Sequence, residues 1–479
     1  MIPGNDLCYN PGGVQKPEPL LHRTRETKTS MDSATPSQLK RAITLPHATA
    51  MVAGTIIGAS IFVQPSEITG RVPSVTGVFL IWLVSGALTI FGALVCAELA
   101  STFTRSGGVY VYLSEAFSPA LGFLWGWAMF WSMHSGIIAA ISAVFGRYAA
   151  YFFPLTNGAI KGVAIAAILL LSAVNYIGVK QGSTLQALFT AGKLIAIAFI
   201  IVFGLTRGAR MPAHFAVGDL GNFGGISASS FLLALVAGLF AYGGWHMVTY
   251  SSEETRDPRT VIPRALILGT ILVTVCYLAL NAVYMYVLPL AAVASSTRIA
   301  ADAADALVGS GGGAFMSALV VFSTFGALSG IILAGPRVYY AMARDGLLFR
   351  WLGAIHPRFH TPYKAILLQA VWSCVLVASG TYRTLFTRVV YTEWIFFGLM
   401  AIGLFLLRHR PAIRRSYRIW GYPVTPALFA ISSFAIVINQ IVSSPLESMF
   451  GLSLVLIGLP AYFLQARNNQ ERSQASASH

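Results

Sequence analysis

The stretch Met51-Val-Ala-Gly-Thr-Ile-Ile-Gly-Ala-Ser-Ile-Phe62 is predominantly apolar, yet two glycines stand near its centre. A second stretch, Leu235-Val-Ala-Gly-Leu-Phe-Ala-Tyr-Gly-Gly-Trp245, has the same character. Each glycine weakens a helix by about 1 kcal/mol relative to alanine and lets another backbone or a ligand approach closely. Close packing explains most single glycine clusters in membrane helices. Two such clusters indicate helices that are interrupted at their middle.

Both stretches belong to a chain with the composition of a membrane protein. Of its 479 residues, 56% are hydrophobic and 10% are charged, which lies outside the range of ordinary soluble domains. Crossing a bilayer takes about 20 apolar residues, and helices satisfy their own backbone hydrogen bonds there. The sequence therefore predicts an all-α integral membrane protein with twelve transmembrane helices. The predicted spans are 42–66, 75–101, 120–153, 159–179, 185–206, 228–251, 262–289, 313–343, 363–380, 385–407, 422–442 and 446–466.

The basic residues indicate how the chain is oriented. The net charge of +15 is concentrated in alternate connections, for example at Arg256, Arg259 and Arg264 and in the group from Arg408 to Arg418. An excess of Lys and Arg marks the cytoplasmic side, so both termini are predicted to be cytoplasmic in a plasma membrane or bacterial inner membrane. The charge is thus a sign of topology, and no nucleic-acid partner is expected.

The organisation predicted along the chain has four parts. Residues 1–41 form a disordered cytoplasmic tail, 42–407 a core of helices 1–10, 408–466 helices 11 and 12, and 467–479 a second cytoplasmic tail. The first tail has no apolar core typical of a cleaved signal peptide. Four scattered cysteines predict neither a disulfide framework nor a zinc site, so no metal or cofactor is expected.

The two interrupted segments occupy matching places, the first and sixth spans. Such pairs are typical of inverted-repeat transporters, whose substrate site lies at the middle of the membrane. An unwound turn leaves amides at the start of one half-helix, where they attract an anion, and leaves carbonyls that accept from an ammonium group. A zwitterion such as an amino acid offers both charges.

Ionisable residues within apolar spans are functional candidates. Lys193 lies in the fifth span, and either a functional role or an extended side chain reaching the cytoplasmic surface explains it from position alone. Glu98 is predicted to be solvated at the inner surface, and Arg147 and Arg337 are predicted to lie at the interface.

Two histidines lie near the predicted site. His134 stands near the middle of the third span beside Met133, where a lone membrane histidine usually packs and hydrogen-bonds, although a pocket or gating role stays open. His246 follows Trp245 beside the second break, where a pocket role and a packing role are equally compatible with the sequence.

Four motifs together resemble the amino acid/polyamine/organocation superfamily, and within it the L-type amino acid exchangers and their bacterial relatives. The resemblance runs from about Leu45 to Gln465. The motifs are Gly54-Thr-Ile-Ile-Gly-Ala-Ser-Ile-Phe-Val63, Phe240-Ala-Tyr-Gly-Gly-Trp245 continuing to Glu253-Glu254 and Asp257-Pro258, Phe322-Ser-Thr-Phe-Gly326, and Arg344-Asp-Gly346 with His356-Pro357. The resemblance implies a five-plus-five inverted repeat with discontinuous helices 1 and 6 and two additional C-terminal helices.

The resemblance also implies a substrate site at the two breaks. Amides around Ile57, Gly58, Ala59 and Ser60 would hold the substrate carboxylate, and carbonyls of Ile56, Phe240 and Gly243 would meet its ammonium. Further residues predicted at the substrate or as gating neighbours are Ala241, Trp245, His246, Met133, His134, Trp394 and Phe397.

Lys193 matches a lysine that many of these relatives carry in place of a sodium ion. The resemblance implies that it bridges carbonyls near Gly54 and the hydroxyl of Ser323 or Thr324, which predicts sodium-independent transport. Proton symport through Lys193 or a histidine stays open as an alternative.

The chain departs from its apparent relatives at three places. The usual Gly-Ser-Gly is Gly58-Ala59-Ser60 here, and His246 replaces a common asparagine, so the substrate range is not carried over. The cysteine that pairs with a glycoprotein heavy chain in some eukaryotic members is absent between Pro154 and Lys161. No covalent partner is therefore expected.

An amino acid exchanger is the leading interpretation. A channel should show rings of charge or repeated carbonyl filters, which the sequence lacks, and a sensor without transport should have an appended signalling domain. The sequence contains no P-loop, nucleophile elbow or paired catalytic carboxylates, so no motif indicates an enzyme. A polyamine or amine carrier of the same fold should offer an acidic side chain in the pocket. The spans around the breaks offer no obvious Asp or Glu, so neutral amino acids are favoured.

Overall fold

A computed structural model describes residues 41, 43–177, 179–207, 226–309, 311–380, 382–411 and 414–465. The tails predicted at 1–41 and 467–479 lie outside the described residues, apart from Arg41, and the domain boundaries remain predictions. Within the described ranges the chain forms helices and their connections, with one isolated bridge between Ile43 and Thr255.

Seventeen α-helices are described in chain order. They are α1 Leu45–Ile56, α2 Gln64–Arg71, α3 Val75–Thr102, α4 Val109–Ala116, α5 Pro119–Ala128, α6 His134–Ala149, α7 Asn157–Ile177, α8 Val179–Arg207, α9 Ala228–Ala241, α10 Pro258–Val287, α11 Leu290–Ser295, α12 Ile299–Val308, α13 Gly312–Arg344, α14 Tyr363–Ser379, α15 Tyr382–Arg408, α16 Val424–Ser443 and α17 Pro445–Leu456. Short 3-10 helices cover Ser60–Phe62, Trp245–Glu254 and Arg350–Gly353, and a π-helical turn covers Met129–Met133.

Ten segments of the described chain are long and apolar enough to cross a bilayer. Two shorter apolar helices, Tyr363–Ser379 and Gly451–Gln465, correspond to the predicted ninth and twelfth spans. The prediction of an all-helical membrane protein is confirmed. The count of twelve spans and the five-plus-five repeat remain predictions.

Many large apolar side chains are exposed, as expected for a chain surrounded by lipid. Large side chains such as Leu170, Ile195, Val202 and Val275 are more than half exposed. In water such a surface would be a strong aggregation liability, whereas in hydrocarbon it costs nothing. Burial therefore distinguishes helices inside the bundle from those at its edge, and the spans formed by α1 and α9 are among the most buried.

The two predicted interruptions are present. α1 ends at Ile56, and a 3-10 helix begins at Ser60. Likewise, α9 ends at Ala241, and a second 3-10 helix begins at Trp245. α1 packs against α8, α10 and α13. The first break is therefore inside the bundle, where unwound backbone is tolerated because protein, and not lipid, surrounds it.

Candidate functional site

The first break exposes backbone groups whose partners differ from one residue to the next. The amide of Ile57 completes the last turn of α1 by donating to Ala53, and the amide of Gly58 donates to the carbonyl of Ile56 at 2.7 Å. Among the described residues, the amides of Ala59 and Ser60 have no hydrogen-bond acceptor. Of the four amides predicted to hold an anion, two are therefore occupied by the chain itself, and those of Ala59 and Ser60 are available.

The second break contains a glycine in the left-handed backbone conformation. Gly244 has φ +95°, which glycine adopts without the penalty that a Cβ atom brings. The amide of Gly243 donates to the carbonyl of Phe240 at 3.0 Å. The Gly243 carbonyl accepts from no group of the described chain. Of the predicted ammonium acceptors, Gly243 is thus the one that is free.

Hydrogen bonds join the two breaks directly. The hydroxyl of Thr55 lies 3.2 Å from the carbonyl oxygen of Gly244. The hydroxyl of Tyr277, on α10, lies 2.9 Å from the carbonyl oxygen of Ile56 and 3.0 Å from that of Ala241. It therefore bridges the C-terminal ends of α1 and α9. The Ile56 carbonyl also accepts from the amide of Gly58, so both of its acceptor positions are used in this conformation. Its contact with a substrate ammonium remains a prediction.

A small cavity lies between the breaks. The first break contributes Thr55, Ile56, Gly58 and Ser60 to its wall, and the second contributes Phe240, Gly243, Gly244 and Met247. Its volume of about 20 Å³ has room for one water molecule, which needs roughly 10–15 Å³ by the same measure. The structure is thus a closed conformation of this site.

The rest of the cavity wall comes from three other helices. Ile137 and Ile141 of α6 and Ile331 of α13 supply an apolar surface, and Glu393 of α15 supplies a carboxylate. Glu393 was not predicted at the site, and the expectation of a pocket without an acidic residue is wrong. The signal was present, because an acidic residue in an apolar span is itself a functional candidate.

Lys193 is buried against the first break. Its side chain is 1% exposed, and its ammonium donates to the carbonyls of Gly54 at 2.8 Å and Ile57 at 2.6 Å. These carbonyls lie at the C-terminal end of α1, where the helix dipole also favours a cation. The side chain does not reach the cytoplasmic surface, so that alternative reading of Lys193 is wrong.

The contact predicted between Lys193 and a hydroxyl of α13 is not formed. The Thr324 hydroxyl donates to carbonyls of its own helix, at Val320 and Val321, and the buried Ser323 hydroxyl has no hydrogen-bond partner within the described ranges. The other half of the predicted bridge, the contact with carbonyls near Gly54, is formed. A glycine at 54 permits this approach, because a Cβ there would lie 2.2 Å from the Thr190 hydroxyl on α8.

The aromatic residues predicted as gates form one cluster beside the cavity. Phe397 contacts the rings of Trp245, His246 and Trp394, with ring centroids 5.2, 4.9 and 6.1 Å away. None of these four side chains lines the cavity in this conformation. Their roles at the substrate, and that of Ala241, remain predictions.

The two residues predicted on the third span pack within the bundle. His134 Nε2 lies 2.7 Å from the carbonyl oxygen of Ile331, and Met133 is fully buried at the end of the π-helical turn. Because a carbonyl only accepts, Nε2 carries the proton in this contact. This geometry matches the packing interpretation of His134, and neither residue lines the cavity.

Comparison with known proteins decides the family. A family model described as amino acid permease matches residues 43–460, which include both breaks, Lys193 and Glu393. The chain belongs to the amino acid permease family. The resemblance predicted from the four motifs is confirmed, and amino acid transport across a membrane is the activity shared by the relatives of this permease.

Three relatives cover nearly the whole permease. The serine/threonine exchanger SteT of Bacillus subtilis (strain 168) is 33% identical over 429 residues, 89% of this chain and 97% of the relative. The human b(0,+)-type amino acid transporter 1 is 32% identical over 93% of this chain and 92% of its own. The human cystine/glutamate transporter is 31% identical over 89% and 85%.

Ion pairs of the permease tie the second break to α13. Arg337 of α13 is buried and pairs with Glu254 at 3.0 Å, at the end of the 3-10 helix that follows the break. The neighbouring Glu253 accepts from the amide of Ser106 at 3.2 Å and lies 3.8 Å from Arg344. The prediction that Arg337 is interfacial is wrong, because its charge is neutralised inside the bundle.

A second buried ion pair lies near the C-terminal end of α3. Glu98 is fully buried and accepts from Arg408 at 2.6 Å, from the amide of Ile419 at 2.7 Å, and lies 3.6 Å from Arg415. It was predicted to be solvated. The physical reason is that Arg408, at the end of α15, and Arg415, in the segment that follows, lie against the carboxylate and replace water.

Proposed function

We propose that this permease exchanges amino acids across the membrane by alternating access and without sodium. The observation that carries the proposal is the buried ammonium of Lys193, held by the Gly54 and Ile57 carbonyls beside the two joined breaks. A fixed cation at an unwound helix end occupies the kind of position where transporters of this architecture hold a coupling sodium ion. A permease with its own cation there needs no sodium to complete the site.

The free backbone groups fit the two charges of an amino acid. The amides of Ala59 and Ser60 begin the half-helix after the first break, and such amides with the helix dipole favour a carboxylate. The free carbonyl of Gly243, across the cavity, is an acceptor for an α-ammonium group. Neither group needs a metal, a cofactor or a nucleophile, so the proposal is transport without chemical change of the substrate.

The closed cavity supports alternating access. At about 20 Å³ it is far smaller than an amino acid, so a substrate enters only after the helices around it separate. The Arg337–Glu254 pair and the Glu253–Arg344 contact cross the interface between α13 and the helix after the second break. We propose that these contacts hold one end of the path closed while the other opens.

The membrane and the orientation of the chain are inferred from its basic residues. We propose a plasma membrane or bacterial inner membrane with both termini in the cytoplasm, on the basis of the distribution of basic residues. We also propose that the permease acts without a covalently attached partner. The proposal is based on the sequence from Pro154 to Lys161, between the third and fourth predicted spans, which contains no cysteine.

An uptake panel in proteoliposomes tests the function. The purified full chain is reconstituted, and labelled amino acids and polyamines are offered with and without unlabelled substrate inside. Exchange predicts saturable amino acid uptake that internal amino acid accelerates. Uptake driven by an imposed proton gradient and indifferent to internal substrate would instead establish proton symport. Uptake of polyamines alone would establish an amine carrier.

A further inference from the structure

We propose that Glu393 receives a cationic group of the substrate side chain, so that the site is built for amino acids with a second ammonium or a guanidinium. This inference rests on the proposed function and specifies its substrate class. It starts from the one acidic residue of the cavity wall.

Glu393 is buried without a partner. Its side chain is 5% exposed, and its carboxylate forms no hydrogen bond or ion pair with any group in the described part of the chain. Other buried carboxylates of this permease are fully paired, Glu98 with Arg408 and Glu254 with Arg337. A buried carboxylate left unpaired is costly, and such groups are retained where a ligand supplies the missing charge.

The cavity contains no other charge that could neutralise this carboxylate. Among the described residues, its wall holds no Lys, Arg or His, and the ammonium of Lys193 is engaged by the carbonyls of the first break. The neighbouring His134 and His246 face the Ile331 carbonyl and an aromatic cluster. The remaining cation has to come with the substrate.

The cavity wall offers partners for both ends of such a substrate. The α-carboxylate and α-ammonium groups have partners at the breaks, in the amides of Ala59 and Ser60 and the carbonyl of Gly243. Glu393 lines the cavity from another helix, α15, and Ile137 and Ile141 of α6 add apolar surface to the same wall. A flexible hydrocarbon chain ending in a cation matches this combination of polar, apolar and acidic surface.

The test compares cationic and neutral amino acids in the same proteoliposomes. Arginine, lysine, leucine and serine are each offered to the wild type, to Glu393→Gln and to the surface control Asp302→Asn. Asp302 is an exposed acidic residue of α12 away from the cavity. We expect the wild type to favour arginine and lysine. Glu393→Gln should reduce their kcat/KM at least about tenfold while leaving that of leucine or serine within about twofold, and the control should match the wild type.

Several outcomes overturn the inference, and they differ from failure of the proposed function. Equal transport of arginine by wild type and Glu393→Gln contradicts it, as does a wild type that moves only neutral amino acids. Neutral uptake that depends on a proton gradient and disappears in Glu393→Gln assigns the carboxylate to proton coupling instead. A folded wild type that transports no amino acid of either class refutes the proposed function itself.

Thermal stabilisation by substrate measures binding without transport, and it tests the inference even if a variant transports poorly. Arginine should raise the melting temperature of the purified wild type more than leucine does. Glu393→Asp keeps the charge one methylene further back and should retain part of the arginine response, which Glu393→Gln should lose. An identical response to arginine in all three proteins would overturn the inference without any transport data.

Discussion

The ammonium nitrogen of Lys193 lies 2.6 Å from the carbonyl oxygen of Ile57, the first residue of the break after α1. The same nitrogen donates to Gly54, which lies in the last turn of the helix before the break. The unwound shape of the first break therefore depends on a cation that belongs to the protein. Removing it leaves buried carbonyls without a donor, at a cost of about 1–3 kcal/mol for each group.

Lys193→Met should lower exchange activity at least about tenfold while the protein still inserts and purifies, because methionine fills the space without the charge. Uptake per amount of reconstituted protein measures this loss. Lys161→Met serves as the control, since Lys161 lies near the start of α7 and bonds to the carbonyl of Ala378. Wild-type uptake by Lys193→Met would remove the lysine from the mechanism.

Tyr277→Phe tests the bridge between the two half-helices. One hydroxyl lies within hydrogen-bond distance of the Ile56 and Ala241 carbonyls, and phenylalanine removes only that oxygen. We expect a lower melting temperature, corresponding to about 1–3 kcal/mol, and slower exchange. Tyr286→Phe, near the end of the same helix, controls for loss of a tyrosine hydroxyl. Unchanged transport with a lower melting temperature would limit Tyr277 to a purely structural role.

Two substitutions at Gly58 test whether the substrate needs close access to the backbone of the first break. A Cβ at this position would lie 3.5 Å from Ala327 and 3.7 Å from Ile141, which is ordinary contact. Gly58→Ala should therefore fold and retain substrate binding, whereas the branched Gly58→Val should fill the cavity and abolish it. Binding measured by substrate-induced thermal stabilisation distinguishes the two. An unchanged affinity in folded Gly58→Val would place the substrate elsewhere.

The Arg337–Glu254 pair predicts a non-additive pair of substitutions. Removing one partner leaves the other charge buried, which costs about 3–5 kcal/mol. We expect Arg337→Met and Glu254→Gln each to lower the melting temperature strongly, and the double variant to be less destabilised than the sum of the two. Additive effects would mean that the 3.0 Å contact contributes nothing to stability.

Much of the fold was predictable because lipid imposes simple rules. Apolar length located the spans, and central glycines located both breaks, since each requires backbone that leaves the helix. The left-handed conformation of Gly244 agrees with that reasoning. The contact of Lys193 with carbonyls near Gly54 was also predicted, whereas the contact with a hydroxyl is not formed, and the Thr324 hydroxyl donates within its own helix.

The rest depended on contacts between distant parts of the chain. Glu98 and Arg337 were predicted at the surface because hydropathy is evaluated for each span separately. Their partners lie 310 and 83 residues away in the sequence, so the pairing does not show in either span. Glu393 was missed for a related reason, because nothing local shows which face of α15 borders the cavity. Tyr277 likewise acquires its position between the two breaks only when α10 packs against α1.

Exchange measured with and without sodium tests the central claim most directly. Proteoliposomes containing the wild type and an unlabelled amino acid are placed in labelled amino acid, with sodium or with choline as the only monovalent cation outside. We predict equal initial rates in the two media and a faster rate than in liposomes without internal substrate. Uptake that requires sodium would contradict the assignment of Lys193 as the resident cation of the first break.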